Sequence, residues 1–159
     1  MIRCGYKNLS FIIYHLSLKI FMTDPIGDML TRIRNAAASG KSDLVMPMSK
    51  IKYEIAKILE RENWIQKCEI LGKEGTRAEE KEIFKELKIV LKYKKSGRPA
   101  ITSIKRISKP GLRVYVSQDK MPVVLSVLGT AVVSTSNGLM TAREAKKSKN
   151  GGEVLCEIY

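Results

Sequence analysis

The chain of 159 residues is long enough for one ordinary domain or two small ones that share an interface, and its 44% of hydrophobic residues predicts a packed core rather than disorder. Its 29 lysines and arginines outnumber the 16 aspartates and glutamates, which leaves a net charge of +13. Because such an excess concentrates polyanions nearby, nucleic acid is the first candidate partner and an anionic membrane the second.

Residues 1–21, MIRCGYKNLSFIIYHLSLKIF, carry three basic and no acidic side chains. The apolar run from Leu9 to Ile13 is shorter than the roughly 20 apolar residues of a transmembrane helix. A signal peptide would need a longer apolar core and a small-residue cleavage site. A transit peptide, which also lacks acidic residues, is the alternative. We interpret residues 1–21 as a leader and Met22 as the true start.

Residues 22–93 predict an N-terminal module of helix, strand, helix, strand and strand. The first helix begins at Asp24, whose carboxylate caps it, with Pro25 at the first helical position. The apolar residues at helical spacing are Ile26, Met29, Leu30 and Ile33. This spacing leaves Asn35 on the open face and Arg34 on its flank.

The rest of this module alternates strands with one more helix. A strand at 44–46 stops at Pro47, and Ser49 caps the second helix. Residues 64–71 and 84–93 are predicted strands, the latter with alternating apolar and polar side chains. The charge run 77–82 is interpreted as a solvated loop.

Residues 94–100, KKSGRPA, are the predicted linker, and residues 101–159 the C-terminal module. The pattern after the linker predicts two strands, 101–107 and 112–117, joined by the corner Ser-Lys-Pro-Gly. On the second strand Leu112, Val114 and Val116 face one way, and Arg113 and Tyr115 the other. A short helix at 121–128 and a strand at 131–133 follow.

The end of the chain contains a further helix and a last strand. Thr141 and Glu144 have the spacing of a capping box, which opens a short basic helix through Lys147. Residues 153–159 form the final strand. The predicted fold class is therefore α+β, with two small α/β modules packed together, the C-terminal one mainly β with short helices.

No catalytic constellation is found in the sequence. The single histidine, His15, lies in the leader, so a Ser-His-Asp triad cannot form in the folded part. No glycine-rich phosphate loop follows a strand. The cysteines Cys4, Cys68 and Cys156 are far apart, which excludes a metal ribbon or a disulfide framework. We expect no enzymatic activity, no cofactor and no metal.

Residues 132–141, VVSTSNGLMT, place three hydroxyls in a row before a predicted sharp turn at Asn137-Gly138. They lie in the more basic half, since residues 97–159 hold 10 basic and 4 acidic side chains. Short hydroxyl and amide side chains suit the wide, shallow minor groove of A-form RNA, with its 2′-hydroxyls. We therefore interpret the stretch as an RNA-facing loop flanked by cations that meet phosphates.

Each of these residues also has a purely structural interpretation. Thr141 can act only as a helix cap, which is compatible with an RNA contact. Tyr115 can be a core ring with a solvated hydroxyl. Serines in loops commonly serve as turn formers.

Five stretches from residue 24 onward resemble one family, small ribosomal subunit protein eight of the bacterial type. They are DPIGDMLTRIRNA at 24–36, SKIKYEIAKIL at 49–59, ISKPGLRVY at 107–115, STSNGLMTAREAKK at 134–147 and GGEVLCEIY at 151–159. The resemblance implies a structural constituent of the small subunit that binds the central domain of 16S ribosomal RNA early in assembly. It also implies that the C-terminal module supplies most RNA contacts.

The resemblance carries the RNA-facing loop onto residues of this chain. The loop residues are Ser134, Thr135, Ser136, Asn137 and Gly138. The supporting residues are Lys109, Tyr115 and Glu153, to which we add Arg113 and Thr141 from the strand and helix patterns. In the N-terminal module, Arg34, Asn35 and Lys52 are candidates for a second contact surface. Family members often have lysine in place of Asn137, which removes one cation here.

The resemblance also implies neighbouring small-subunit ribosomal proteins as partners, the protein's own messenger RNA as a further RNA partner, and no membrane. The expected location is the cytoplasmic ribosome, with a plastid ribosome as the alternative. Two other classes remain open: a general nucleic-acid-binding protein without a ribosomal role, and a membrane-associated protein that uses the leader as an anchor.

The leader interpretation predicts that residues 1–21 are absent from the mature protein. Mass spectrometry of the natural protein should give a chain that starts at Met22 or Thr23. Peptides containing Cys4 in assembled ribosomes would contradict the interpretation.

Overall fold

The computed structural model describes residues 24–73 and 84–159. The helices are α1 (Pro25–Ala38), α2 (Lys50–Arg61) and α3 (Ala142–Lys147). The strands are β1 (Asp43–Pro47), β2 (Ile65–Lys73), β3 (Phe84–Leu91), β4 (Ile104–Arg106), β5 (Tyr115–Val116), β6 (Thr130–Thr135), β7 (Gly138–Thr141) and β8 (Gly152–Ile158). The leader and the charge run 77–82 lie outside the described residues. Helices and antiparallel sheets together confirm the predicted α+β class.

All three predicted helix caps are confirmed. The Asp24 carboxylate accepts a hydrogen bond from the Gly27 amide at 3.0 Å. Ser49 caps α2 through the Lys52 amide, and Thr141 and Glu144 form a complete capping box at α3. Each cap satisfies an amide that the helix itself leaves without a partner.

The N-terminal sheet has the strand order β1-β3-β2 and is antiparallel throughout. The central strand β3 turns Leu87, Ile89 and Leu91 into the core, as the alternation in the sequence predicts. The apolar stripes of α1 and α2 contribute to this same buried cluster.

The C-terminal sheet is built around β8. Its order is β4-β8-β6-β7, and β5 also pairs with β8. The predicted strands 101–107 and 112–117 were too long, since β4 has three residues and β5 has two. The cause is the corner between them, where Lys109 and Leu112 exchange backbone hydrogen bonds with each other instead of with a neighbouring strand. Leu112 consequently remains 67% exposed.

The helix predicted at 121–128 is only a 3-10 turn, Val124–Val127. Pro122 and the β-branched valines disfavour an α-helix, and the positive φ of Leu125, 42°, is incompatible with a right-handed α-helix. The segment is therefore irregular, and it is held at its end by the Gly129 amide bonding to the Val124 carbonyl.

The predicted linker is an ordered turn. The Lys94 amide donates to the Arg98 carbonyl at 2.8 Å, and the Ala100 amide donates to the Lys92 carbonyl at 2.8 Å. Gly97 supplies the positive φ, 77°, that the turn requires. The domain boundaries at residues 93 and 101 stay predictions.

The larger of two hydrophobic clusters joins the two halves of the chain. The cluster under α1, α2 and β3 continues without interruption into side chains of the C-terminal sheet. Those side chains are Ile101, Ile104, Val132, Leu155, Cys156 and Ile158. A second, smaller cluster lies between β6, β8 and α3.

Polar contacts across the boundary fix the orientation of the halves. Arg106 pairs with Asp24 at 3.2 Å and also donates to the Leu155 carbonyl at 2.8 Å. The Trp64 indole donates to the Thr130 hydroxyl at 3.0 Å. Only 11% of the Arg106 side chain and 6% of Thr130 are exposed. No buried side-chain polar atom of the described residues lacks a partner, so these hydrogen bonds offset the desolvation of the groups while they fix the orientation.

Gly152 permits the close approach of β8 to β6. A Cβ at this position would lie 2.3 Å from the carbonyl oxygen of Ser134 and 2.9 Å from a methyl group of Val133. The backbone of β6 cannot yield without breaking the ladder that the two strands share. Gly111, by contrast, has an ordinary φ and open space around it.

We predict that Gly152→Ala lowers the free energy of unfolding by about 1–3 kcal/mol, the usual cost of overpacking. Gly111→Ala should change it by less than about 0.5 kcal/mol. Urea unfolding of both variants and the parent measures this difference. Equal stability of the Gly152 variant and the parent would show that β6 and β8 are not fixed by this contact.

Candidate nucleic-acid interface

The hydroxyl stretch forms the tip of a β-hairpin. β6 and β7 pair up to Thr135 and Gly138, and Ser136 and Asn137 make the turn. The prediction of a turn at Asn137-Gly138 was therefore one residue too late, and Ser134 and Thr135 belong to the strand. The positive φ falls on Gly138, at 105°, which is typical of a bulged hairpin turn.

The hydroxyls of the hairpin have different roles. The Thr135 hydroxyl donates to the Gly138 carbonyl at 3.0 Å and accepts from the Asn137 amide at 3.2 Å. It therefore stabilises the turn. The side chains of Ser136 and Asn137 are exposed and bond to no other described residue, so they are available to a ligand.

A row of side chains runs across the C-terminal sheet beside the hairpin. Tyr115 on β5 lies opposite Glu153 on β8, and Glu153 lies opposite Ser134 on β6. Directly opposed residues of antiparallel strands project from the same face. The fold thus brings together three predicted site residues that are far apart in the sequence. We call them the Tyr115–Glu153–Ser134 row.

Two donors hold the carboxylate of Glu153 in place. The buried hydroxyl of Ser108 and the guanidinium of Arg113, the latter at 2.8 Å, both donate to its Oε1 atom. The second oxygen, Oε2, accepts no hydrogen bond from a described residue. Since no buried side-chain polar atom of these residues lacks a partner, Oε2 retains some contact with solvent, although only 14% of the side chain is exposed. Burial alone would raise the pKa of Glu153, but the bonds from Ser108 and Arg113 outweigh it and lower this pKa below its usual value.

Ser108 was missed in the sequence. It is fully buried, donates to Glu153 and accepts a bond from the Val114 amide at 3.4 Å. A serine directly before Lys-Pro-Gly is typical of a turn, so the sequence does not indicate a further role. Its contact with Glu153 becomes visible only in the pairing of β5 with β8.

The cations of the predicted site surround the row. Arg113 is half exposed beside Glu153. Lys109 is exposed in the neighbouring corner, and its side chain makes no ion pair with any residue the structure describes. Tyr115 is 70% exposed, which rules out its alternative role as a core ring.

Thr141 has the structural role. It is only 2% exposed, and its hydroxyl both accepts from the Glu144 amide and donates to the Glu144 carboxylate. A side chain so buried cannot reach a macromolecule, so we retain Thr141 as the cap that joins β7 to α3.

The three candidate contact residues of the N-terminal module differ in their surroundings. Asn35 is exposed on α1, and Arg34 donates to the Ile104 carbonyl at 2.6 Å, which links α1 to β4. Lys52 is 3% exposed, with its ammonium 3.4 Å from the Pro47 carbonyl and 4.0 Å from Asp28. The prediction of Lys52 as a surface contact is corrected accordingly. Burial also lowers the pKa of Lys52.

Within residues 24–73 and 84–159, no helix is long and apolar enough to cross a membrane. The same ranges contain no group of three or more histidine, cysteine or acidic side chains arranged to hold a metal ion.

Comparisons with known proteins assign the chain to one family. Residues 24–159 match the family Ribosomal protein S8. The chain is 51% identical to small ribosomal subunit protein uS8 of Exiguobacterium sibiricum over 140 residues, which cover 87% of this chain and 98% of that protein. It is 47% identical to the uS8 proteins of Halothermothrix orenii and Hydrogenovibrio crunogenus, with 87% and 86% of this chain and 98% of each relative covered.

The chain therefore belongs to the Ribosomal protein S8 family of the small subunit. This membership confirms the predicted family and its location in the ribosome. It also confirms the predicted class, a structural ribosomal protein rather than an enzyme.

We predict that Glu153→Gln lowers the free energy of unfolding by about 1 kcal/mol at pH 7, because the charge-assisted bonds from Ser108 and Arg113 are weakened. The folded-state pKa of Glu153 is depressed. The stability that ionised Glu153 contributes is thus present above the pKa of the unfolded state, about 4.3. It is lost as the pH falls through the lower pKa of the folded state. The difference between variant and parent should accordingly shrink at pH 3.

Urea unfolding at both pH values measures the effect. Glu157→Gln is the matched control, since Glu157 lies on the same strand and its side chain bonds to no other described residue. A Glu153 variant as stable as the parent at pH 7 would show that this network does not stabilise the sheet.

Proposed function

We propose that this protein is a primary binder of ribosomal RNA that attaches to a helical stem in the central domain of 16S RNA and helps its assembly. The observation that carries the proposal is the hairpin tip beside the Tyr115–Glu153–Ser134 row, with cations at its edge. The supporting relatives are named as proteins of the small ribosomal subunit.

The hairpin tip suits the shallow minor groove of an RNA stem. Ser136 and Asn137 present a hydroxyl and an amide that can exchange hydrogen bonds with 2′-hydroxyls and base edges. Gly138 lies next to Asn137 in open space, with no atom beyond its two chain neighbours within 4 Å of where a Cβ would be. The RNA backbone can therefore approach the chain closely at this point.

The row beside the hairpin adds an acceptor and a ring. Glu153 Oε2 is fixed in orientation because both protein donors bond to Oε1. A fixed acceptor within a basic surface binds a donor such as a 2′-hydroxyl or a base amino group. The exposed Tyr115 ring offers a face for an unstacked base and a hydroxyl for the backbone.

Lys109 and Arg113 would bind phosphates on either side of this contact, which positions the stem without reading its sequence. Arg34 and Asn35 on α1, both exposed, are the candidates that remain for a second contact surface in the N-terminal half. The protein's own messenger RNA would be a ligand if it forms a similar stem.

Ser136→Ala tests the proposal, because it removes one exposed hydroxyl and no charge. If Ser136 bonds to the RNA in a site closed to water, the variant should lose about 1–3 kcal/mol of binding, roughly a 5- to 150-fold rise in Kd. Filter binding to the central-domain stem measures this. Ser96→Ala, in the turn at 94–97, removes another exposed hydroxyl and should bind like the parent.

The salt dependence separates this contact from general attraction of charges. Lys109→Ala should lower the slope of log Kd against log salt by about one, whereas Ser136→Ala should leave the slope unchanged. Lys95→Ala is the matched cation control. Parental affinity of a normally folded Ser136 variant would contradict the proposed hairpin contact, and equal binding of random duplex DNA would favour a general nucleic-acid-binding protein.

A further inference from the structure

An exposed apolar ridge precedes β6, at the opposite end of that strand from the hydroxyl hairpin. Its side chains are Val123, Leu125 and Leu128, which are 65%, 54% and 81% exposed. Three large aliphatic side chains this exposed within six residues are unusual for the free surface of a protein of this size and mark an interaction site.

The backbone holds the ridge outward. Leu125 has a φ of 42°, a left-handed conformation that is unfavourable for a leucine. Val124, between two exposed neighbours, is 8% exposed and packs into the smaller core. Val124 thus anchors the segment in the core, while Val123, Leu125 and Leu128 stay in solvent.

A cleft lies beside the ridge. Its volume is about 120 Å³, similar to the ~150 Å³ cavity that admits a benzene ring. Met121, Val124, Ala131 and Ala142 supply its apolar lining, and Val123 joins the cleft to the ridge. The charged residues among its lining are Arg143 and Lys146, both basic, with no acidic residue.

We propose that this ridge and cleft dock a protein segment that inserts an apolar side chain into the cleft and places a carboxylate against Lys146. The partner would be a neighbouring protein of the small subunit. Charge complementarity selects an acidic segment, since the rim is basic. An RNA partner is disfavoured because phosphates would lose water against the three aliphatic side chains without gaining a hydrogen bond from them.

The location allows RNA and protein to bind at once. β6 spans Thr130–Thr135, so the ridge before it and the hairpin after it are roughly 20 Å apart at 3.3 Å per residue. The protein would then connect the RNA stem at one end of β6 to a neighbouring protein at the other. This inference is independent of which RNA stem the hairpin binds.

The test uses Leu128→Cys in the full chain and follows maleimide labelling of residue 128 by mass spectrometry. Cys68 and Cys156 are buried and give an internal baseline. We expect fast labelling in the free protein and in its complex with 16S RNA alone. In subunits reconstituted from 16S RNA and the complete set of small-subunit proteins, labelling should slow by at least tenfold.

The other outcomes overturn the proposal. Protection by 16S RNA alone would assign the ridge to RNA, and protection that grows with concentration of the free protein would assign it to a second copy. Fast labelling in complete subunits would show that nothing covers it.

A competition experiment checks the energetics. Leu128→Asp, at an 81% exposed position, should fold and bind 16S RNA like the parent. When the variant and the parent are mixed in equal amounts, reconstituted subunits should contain about tenfold less of the variant. Ile70→Asp, at a 42% exposed position on β2, is the control and should compete equally. Equal incorporation of the Leu128 variant and the parent would contradict the docking role.

Discussion

The site and the junction between the halves both depend on how β8 pairs with its neighbours. One end of β8 places Leu155, Cys156 and Ile158 in the core shared with the N-terminal half. The other end places Glu153 between Tyr115 and Ser134. Since Gly152 lets β6 approach β8 closely, a shift in this pairing would move the core and the candidate interface together.

An acidic side chain at the centre of a basic surface has a physical explanation in this fold. Ser108 and Arg113 direct one oxygen of Glu153 inward and leave the other as an acceptor of fixed orientation. The same carboxylate holds the Arg113 side chain near the row. The Glu153 carboxylate repels a polyanion that is attracted by charge alone. Close binding at this point therefore favours ligands that offer a hydrogen-bond donor to the carboxylate.

The elements with strong local signals could be predicted from the sequence. Caps at Asp24, Ser49 and Thr141 depend on residues three apart, and the alternation in β3 depends on burial of one face. Other features could not be predicted from the sequence, because each depends on contacts between distant segments. They are the shortness of β4 and β5, the role of Ser108 and the burial of Lys52. The hydroxyl stretch was recognisable from composition, but which hydroxyl is free depends on the turn geometry that Thr135 sets.

The central claim is that the hairpin tip contacts ribose hydroxyls in an RNA minor groove. A double-mutant cycle measures this directly by combining Ser136→Ala with single 2′-deoxy substitutions along the central-domain stem. If the hairpin tip binds a ribose hydroxyl, the two changes should be coupled by about 1 kcal/mol at one nucleotide or at two adjacent ones. Additive effects at every nucleotide of the stem would contradict it.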